Sequence, residues 1–162
     1  MGFFGTLFGK KETIEIASPA KGELIPIGNV SDPTFAEEML GKGVALVPSD
    51  GKFYAPADGD LESLFPTGHA YSVKTPEGTE VLIHIGLDTV KLKGQFFTLH
   101  ATQGDKVKKG DLIVEVDLEA VKNAGYDITT PMIILDSDNY SSFDKKTGSV
   151  APGDTALILE KA

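Results

Sequence analysis

The sequence predicts an all-β fold: a single domain of short antiparallel strands packed as a sandwich or barrel. Three observations point there. Eighteen glycines and nine prolines cut the 162 residues into short segments. Gly-Asp or Asp-Gly turn pairs recur at Asp50-Gly51, Asp58-Gly59, Gly104-Asp105, Gly110-Asp111 and Gly153-Asp154. Helix-forming runs are scarce, and no long apolar run hides a further element.

Between those breaks the strands follow in order. The first two are Thr13–Ala17 and Gly22–Ile27, separated by Ser18-Pro19. Asp32 then offers an N-cap with Pro33 at the first helical position, so Phe35–Leu40 reads as one helical turn. Val44–Pro48 and Lys52–Ala55 flank the Asp50-Gly51 turn, and Gly59–Leu64 opens on Asp58-Gly59. Ala70–Thr75 and Glu80–Leu87 form a hairpin around Pro76-Glu77-Gly78-Thr79. Gln95–Leu99 and Leu112–Asp117 come next, then a second helical turn at Leu118–Ala124. Pro131–Leu135, Ser149–Val150 and Thr155–Leu159 complete the set. No low-complexity linker divides the chain, so residues 13–162 read as one β domain behind an arm at residues 1–12.

Composition narrows the function. The absence of cysteine removes disulfides, thiol catalysis and thiolate metal sites, and fits a cytoplasmic protein. The net charge is −9, with 24 acidic residues against 15 basic ones, and every basic residue is lysine. Nucleic acid is excluded as a partner because the phosphate backbone requires a basic footprint. With no guanidinium fork, any phosphoryl group must be held by other donors or by a partner's arginine. The arm, MGFFGTLFGKK, lacks the order of a signal peptide. It matches the loose myristoylation pattern at Gly2 and Thr6, and as a short amphipathic stretch it suits peripheral contact with a membrane or a partner.

Two internal echoes suggest repeated hairpins. Ser18–Leu24 (SPAKGEL) resembles Ala55–Leu61 (APADGDL), displaced by 37 residues. Residues 104–113, GDKVKKGDLI, weakly resemble GSVAPGDTALI from Gly148.

The chemistry at neutral pH concentrates on three histidines. His69 and His84 stand fifteen residues apart across the hairpin. An even loop would pair Thr75 with Glu80, set His84 opposite Tyr71, and leave His69 on the same face as a diagonal neighbour, roughly 7–8 Å away. A three-residue loop would reverse the parity and separate them. His84 interrupts the apolar run Val81–Leu87, where an imidazole needs hydrogen-bond partners. Gly86, two residues on, would leave space beside the ring. One ring nitrogen bonded to a carbonyl would fix the tautomer and free the other as a nucleophile. The Thr67 hydroxyl is close enough in sequence to orient His69, whereas His100 reads as structural or surface.

These residues sit in motifs that carry a resemblance. GTEVLIHIGLDTVKLKG, Gly78–Gly94, resembles the phosphorylation-site signature of the glucose-type enzyme IIA of the bacterial sugar phosphotransferase system. FPTGHA, Phe65–Ala70, resembles that family's second-histidine motif at the expected distance. SPAKGELIPI, VSDPTFAEEMLGKGVAL and GDKVKKGDLIVEVD extend the likeness from about Ile14 to Leu159, and the chain is similar to the stand-alone form.

The resemblance implies a barrel-sandwich built on a duplicated hybrid motif. It also implies that His84 accepts a phosphoryl group from the histidine phosphocarrier protein and passes it to a cysteine of an enzyme IIB domain. His69 would then donate a hydrogen bond to the phosphoryl oxygens, and Thr67 would orient His69. Phe35, Met39, Leu40, Phe65, Leu82 and Val90 map onto the apolar partner-binding face, with Asp32 and Asp88 as flanking acids. No cofactor is implied. Regulation of permeases or kinases is a further activity the family suggests.

Two other chemistries fit less well. A catalytic zinc needs a third protein ligand, and neither HxH nor HExxH occurs, although zinc joining His69 and His84 to a partner's carboxylate stays open. GDKVKKGDLIVEVD resembles the hairpin of biotin and lipoate carriers, but no lysine sits in their attachment motifs.

Overall fold

The computed structural model describes residues 12–162, so the expectations placed on the arm fall outside the described residues, save for Glu12. Fourteen strands are present among them: β1 Thr13–Ala17, β2 Gly22–Pro26, β3 Lys42–Pro48, β4 Lys52–Tyr54, β5 Gly59–Leu64, β6 Ala70–Lys74 and β7 Glu80–His84, then β8 Phe97–Leu99, β9 Lys106–Val107, β10 Leu112–Val116, β11 Thr130–Ile134, β12 Tyr140–Lys145, β13 Gly148–Val150 and β14 Thr155–Lys161. Two short helices, α1 Pro33–Ala36 and α2 Leu118–Asn123, interrupt them. The strands form an eight-stranded sheet, in the order β13-β2-β3-β11-β7-β6-β5-β9, and two three-stranded sheets, β1-β14-β12 and β4-β10-β8. Each pairing is antiparallel. This is the β-sandwich that the turn density predicts.

The order of the large sheet reads the same from both ends. β2 pairs with β13 as β5 pairs with β9, and β11 and β7 meet in the middle. The turns repeat the relation bond for bond. Ser18 N–H donates to Asp154 O while Gly153 N–H donates to Ser18 O; Ala55 does the same with Asp111 and Gly110. The carboxylates of Asp154 and Asp111 each accept from a backbone N–H three residues earlier, both at 2.8 Å. The two sequence echoes therefore mark equivalent positions in two interlocked copies, with β4–β10 inserted between β3 and β11. At the echoed positions Gly22 and Gly59 a Cβ would run into the carbonyls of Val47 and Lys74, so close strand approach demands glycine at both.

Alternation along the central strands sorts side chains into two layers. Val81 and Ile83 of β7 enter the main core with Val44, Leu46, Tyr71, Val73, Met132 and Ile134. On the other face, Leu82 packs on a smaller cluster of Ile27, Val30, Phe35, Ala45, Leu87 and Ile133. The segment between β2 and β3 supplies the cover. Asp32 caps α1 by accepting from Thr34 N–H at 3.0 Å, with Pro33 at its start. The helix begins two residues before the expected Phe35–Leu40 and ends four residues sooner, at Ala36, ahead of a left-handed Glu38 (φ 56°). Glu38 then accepts from Gly43 N–H and from Lys145 Nζ, fastening the segment to the sheet.

The hairpin register differs from the even-loop expectation. Val73 pairs with Val81 and Ala70 with His84, one residue away from the Tyr71–His84 pairing. The cause is an odd turn: Thr75 N–H donates to Thr79 O at 2.9 Å, and the Thr75 hydroxyl accepts from Thr79 N–H at 3.1 Å. Three residues, Pro76, Glu77 and Gly78 (φ 94°), make the tip. β7 also ends at His84 rather than Leu87, because Gly86 is left-handed (φ 76°).

Candidate active site

His84 is the last residue of β7 and shares its side of the sheet with Leu82, facing the smaller apolar cluster. The Phe35 ring lies 5.1 Å from its imidazole, centroid to centroid. Its Nδ1 is 2.7 Å from the carbonyl oxygen of Gly86. A carbonyl only accepts, so Nδ1 carries the proton and Nε2 keeps its lone pair. Gly86 does not open space beside the ring as its sequence position suggests. A Cβ there would meet Thr89 Cγ2 at 2.6 Å and Asp127 O at 3.0 Å, so the glycine is needed for a close-packed, left-handed turn.

His69 reaches His84 by a route other than strand parity. In the observed register the ladder continued one step would place it opposite Ile85, and Ile85 N–H does donate to His69 O at 2.6 Å. Continued alternation would send its side chain toward the core with Tyr71 and Val73. Gly68 (φ 75°) breaks that alternation, and His69 sits in the bend before β6. Its ring instead stands edge-on to His84 at 5.2 Å and edge-on to Phe65 at 5.1 Å. Thr67 Oγ1 is 2.7 Å from His69 Nδ1. Four rings, Phe35, His84, His69 and Phe65, thus form one row.

Both imidazoles are held neutral. Burial, then the neighbouring His84, lowers the His69 pKa to about 4, and only 3% of its surface is exposed. His84 is also lowered by burial, against the opposing pull of the Gly86 carbonyl and, more weakly, of Asp32 and Asp88. Because His69 titrates lower folded than unfolded, the unfolded chain binds the extra proton. Stability should fall as pH drops from about 6.5 to about 4, by at most roughly 3 kcal/mol from this residue. Urea midpoints at pH 7 and pH 4.5 check this: His69→Gln should lose less on acidification than the unaltered chain, and an equal loss would contradict it.

The remaining positions form the surroundings. Met39 (70% exposed), Val90 (50%), Leu40 (45%) and Phe65 (44%) present apolar surface, whereas Phe35, at 6%, lies beneath the site. Asp88 is exposed and left-handed (φ 59°), opening the 3-10 turn Thr89–Leu92 that carries Val90; Asp32 is half-buried at the α1 cap. Clefts of ≈ 400 Å³ and ≈ 340 Å³ lie elsewhere, along Asp58, Lys74, Pro76 and Lys106 and beside Thr13 and Glu77, and neither histidine lines them. His100 lies apart, bonded to Glu115 at 3.1 Å. Among the described residues no three His, Cys, Asp or Glu side chains converge as metal ligands, and no helix is long and apolar enough to cross a membrane.

Residues 14–140 match the family model of the phosphoenolpyruvate-dependent sugar phosphotransferase system, EIIA 1. The chain belongs to this family. It is 43% identical to a PTS system glucose-specific EIIA component of Halalkalibacterium halodurans, over 98% of each chain. It is 45% identical over 152 residues to a PTS system beta-glucoside-specific EIIBCA component of Bacillus subtilis, covering 93% of this chain but a quarter of that longer relative. The structure superimposes on glucose permease IIA from Mycoplasma capricolum with a TM-score of 0.86 at 38% identity, covering 91% of this chain and 96% of that one. Within this EIIA-family chain, sequence reasoning singled out both histidines and Thr67 but not the carbonyl of Gly86 as acceptor, since backbone geometry leaves no residue-type signature.

Proposed function

We propose that this chain is a phosphoryl carrier in sugar uptake, with His84 as the group that carries the phosphate. The observation that carries the reading is the His84 Nδ1–H···O=C Gly86 bond, which leaves Nε2 as the one nitrogen able to attack. The Nε2 lone pair forms a bond to the phosphorus of a partner's phosphohistidine as the donor's P–N bond breaks. The donor leaves as neutral imidazole, and His84 becomes a cationic ring bearing the phosphoryl group. Gly86 O, Asp32 and Asp88 all favour that cation, since each pulls the His84 pKa upward. In the second step a cysteine thiolate of the acceptor attacks phosphorus, the Nε2–P bond breaks, and neutral His84 returns.

His69 is the residue for the phosphoryl oxygens. We assign the Thr67 hydroxyl, 2.7 Å from Nδ1, as the donor of that bond; the His69 proton then resides on Nε2 and makes that nitrogen a donor. Burial keeps the ring neutral, so it offers one directed hydrogen bond rather than a charge that would hold the phosphate too tightly. In a chain without arginine this donor and nearby backbone N–H groups supply the stabilisation that phosphoryl transfer requires.

The partners follow from the surface. Met39, Leu40, Phe65 and Val90 expose apolar area beside a row of rings, and Asp32 and Asp88 give it an acidic rim. That combination suits a partner with an apolar patch and basic surroundings, bound weakly enough to leave. The donor in this reading is the histidine phosphocarrier protein and the acceptor an enzyme IIB domain; the fusion named in the EIIBCA relative supports the acceptor alone. The test is incubation with phosphoenolpyruvate and the two general phosphotransferase proteins. One acid-labile phosphate per chain, dependent on both proteins, is the expected result; no label under conditions that charge the carrier protein would refute the assignment.

A further inference from the structure

Thr89 is buried beside the site, 1% exposed, and takes no part in the chemistry above. Its hydroxyl donates to Ile85 O at 2.5 Å, and its methyl occupies the place a Gly86 Cβ would need, 2.6 Å away. It therefore closes the loop Ile85–Thr89 around the glycine whose carbonyl holds His84.

The peptide groups of that loop are fixed one after another. Ile85 N–H is bonded to His69 O, and Ile85 C=O to the Thr89 hydroxyl. The next peptide presents Gly86 C=O to His84 Nδ1 and Leu87 N–H to Asp127 O at 2.9 Å. Turning that peptide would break both of its bonds. Glycine has the freedom to turn, and the Thr89 hydroxyl restrains the peptide immediately before it.

We infer that Thr89 is a positioning residue for phosphoryl acceptance: its hydroxyl keeps the Gly86 carbonyl on His84 Nδ1 and so keeps Nε2 the free nitrogen. This rests on His84 Nε2 being the nucleophile. Buried polar partners behind a reacting imidazole set its tautomer and orientation, as behind a metal-ligating one.

Two variants separate the hydroxyl from the bulk of the side chain. Thr89→Val keeps the shape and removes the donor; Thr89→Ser keeps the donor and removes the methyl. Two-bond ¹H–¹⁵N NMR on the unphosphorylated protein reads the His84 tautomer, and the rate of phosphoryl acceptance is measured alongside. Thr89→Val should raise the fraction of His84 protonated on Nε2 and slow acceptance about tenfold, the factor one hydrogen bond carries. Thr89→Ser should keep the tautomer and most of the rate. A folded Thr89→Val protein with unchanged tautomer and rate would overturn the inference. Should that variant not fold, Thr89→Ser decides: a wild-type tautomer and rate supports the hydroxyl's role, and loss of both assigns it to the methyl instead. The tautomer is read without phosphate, so failure here is distinct from failure of the carrier assignment.

Discussion

His84→Ala is expected to take up no acid-labile phosphate from the charged carrier protein, at any time or concentration. In the proposed transfer the ring supplies the atom to which phosphorus bonds, so its removal leaves no pathway to slow down. His69 lies next to it, with centroids 5.2 Å apart, but cannot substitute. One of its nitrogens is engaged by Thr67, and its buried ring pays the desolvation cost of becoming the cation a phosphohistidine requires. The protein should remain folded, because β7 holds its place through Val81 and Ile83 in the core rather than through His84. Labelling with radioactive phosphoenolpyruvate, alongside a thermal melt, checks both halves. Label persisting in a folded His84→Ala chain would move the site elsewhere.

His69→Gln is expected to divide the two steps. The His84 nucleophile and its Gly86 partner are untouched, so label should still arrive from the carrier. Onward transfer to the enzyme IIB cysteine should fall roughly a hundredfold, the usual cost of losing a donor aimed at developing charge. In the onward step His84 is the leaving group, and the His69 donor, edge-on to it at 5.2 Å, is the side chain placed to steady the phosphoryl oxygens on this chain; in acceptance the carrier's own site shares that task. Rapid-quench measurement of the two half-reactions gives the comparison. Equal slowing of both steps would assign His69 to general support of the site.

How far the sequence disclosed this molecule varies from feature to feature. Turn chemistry marked the strands because glycine and proline act locally. The echoed Ser18–Leu24 and Ala55–Leu61 segments foreshadowed a duplication whose turns share hydrogen bonds. The interlocking of the two copies was hidden, since nothing local says that β3 pairs with β11 across the intervening β4–β10. β12 escaped notice because Tyr140–Lys145 (YSSFDK) is polar and mostly exposed, while β9 is two residues long. The hairpin register lies one residue from the even-loop expectation, as Thr75 and Thr79 close the turn through a side-chain bond that composition does not announce.

The histidines themselves show how a correct proximity can have an unforeseen cause. Strand parity in the true register would have separated them; the left-handed Gly68 brings His69 back across. Phe35 fits the same lesson. Its place in the motif suggested a partner-facing residue, yet it lies under His84 as part of the smaller core. The exposed members, Met39, Leu40, Phe65 and Val90, sit in loops or short turns beyond the regular elements, where an apolar residue has no structural reason to be.

The proposed mechanism requires His84 to react through Nε2 because Gly86 holds Nδ1. It is tested most directly on the phosphorylated, ¹⁵N-histidine-labelled protein, by NMR that correlates phosphorus with the ring nitrogens. The expected result is a single phosphoryl group bonded to His84 Nε2, with Nδ1 still protonated. Phosphorus bonded to His84 Nδ1, or to either nitrogen of His69, would contradict it.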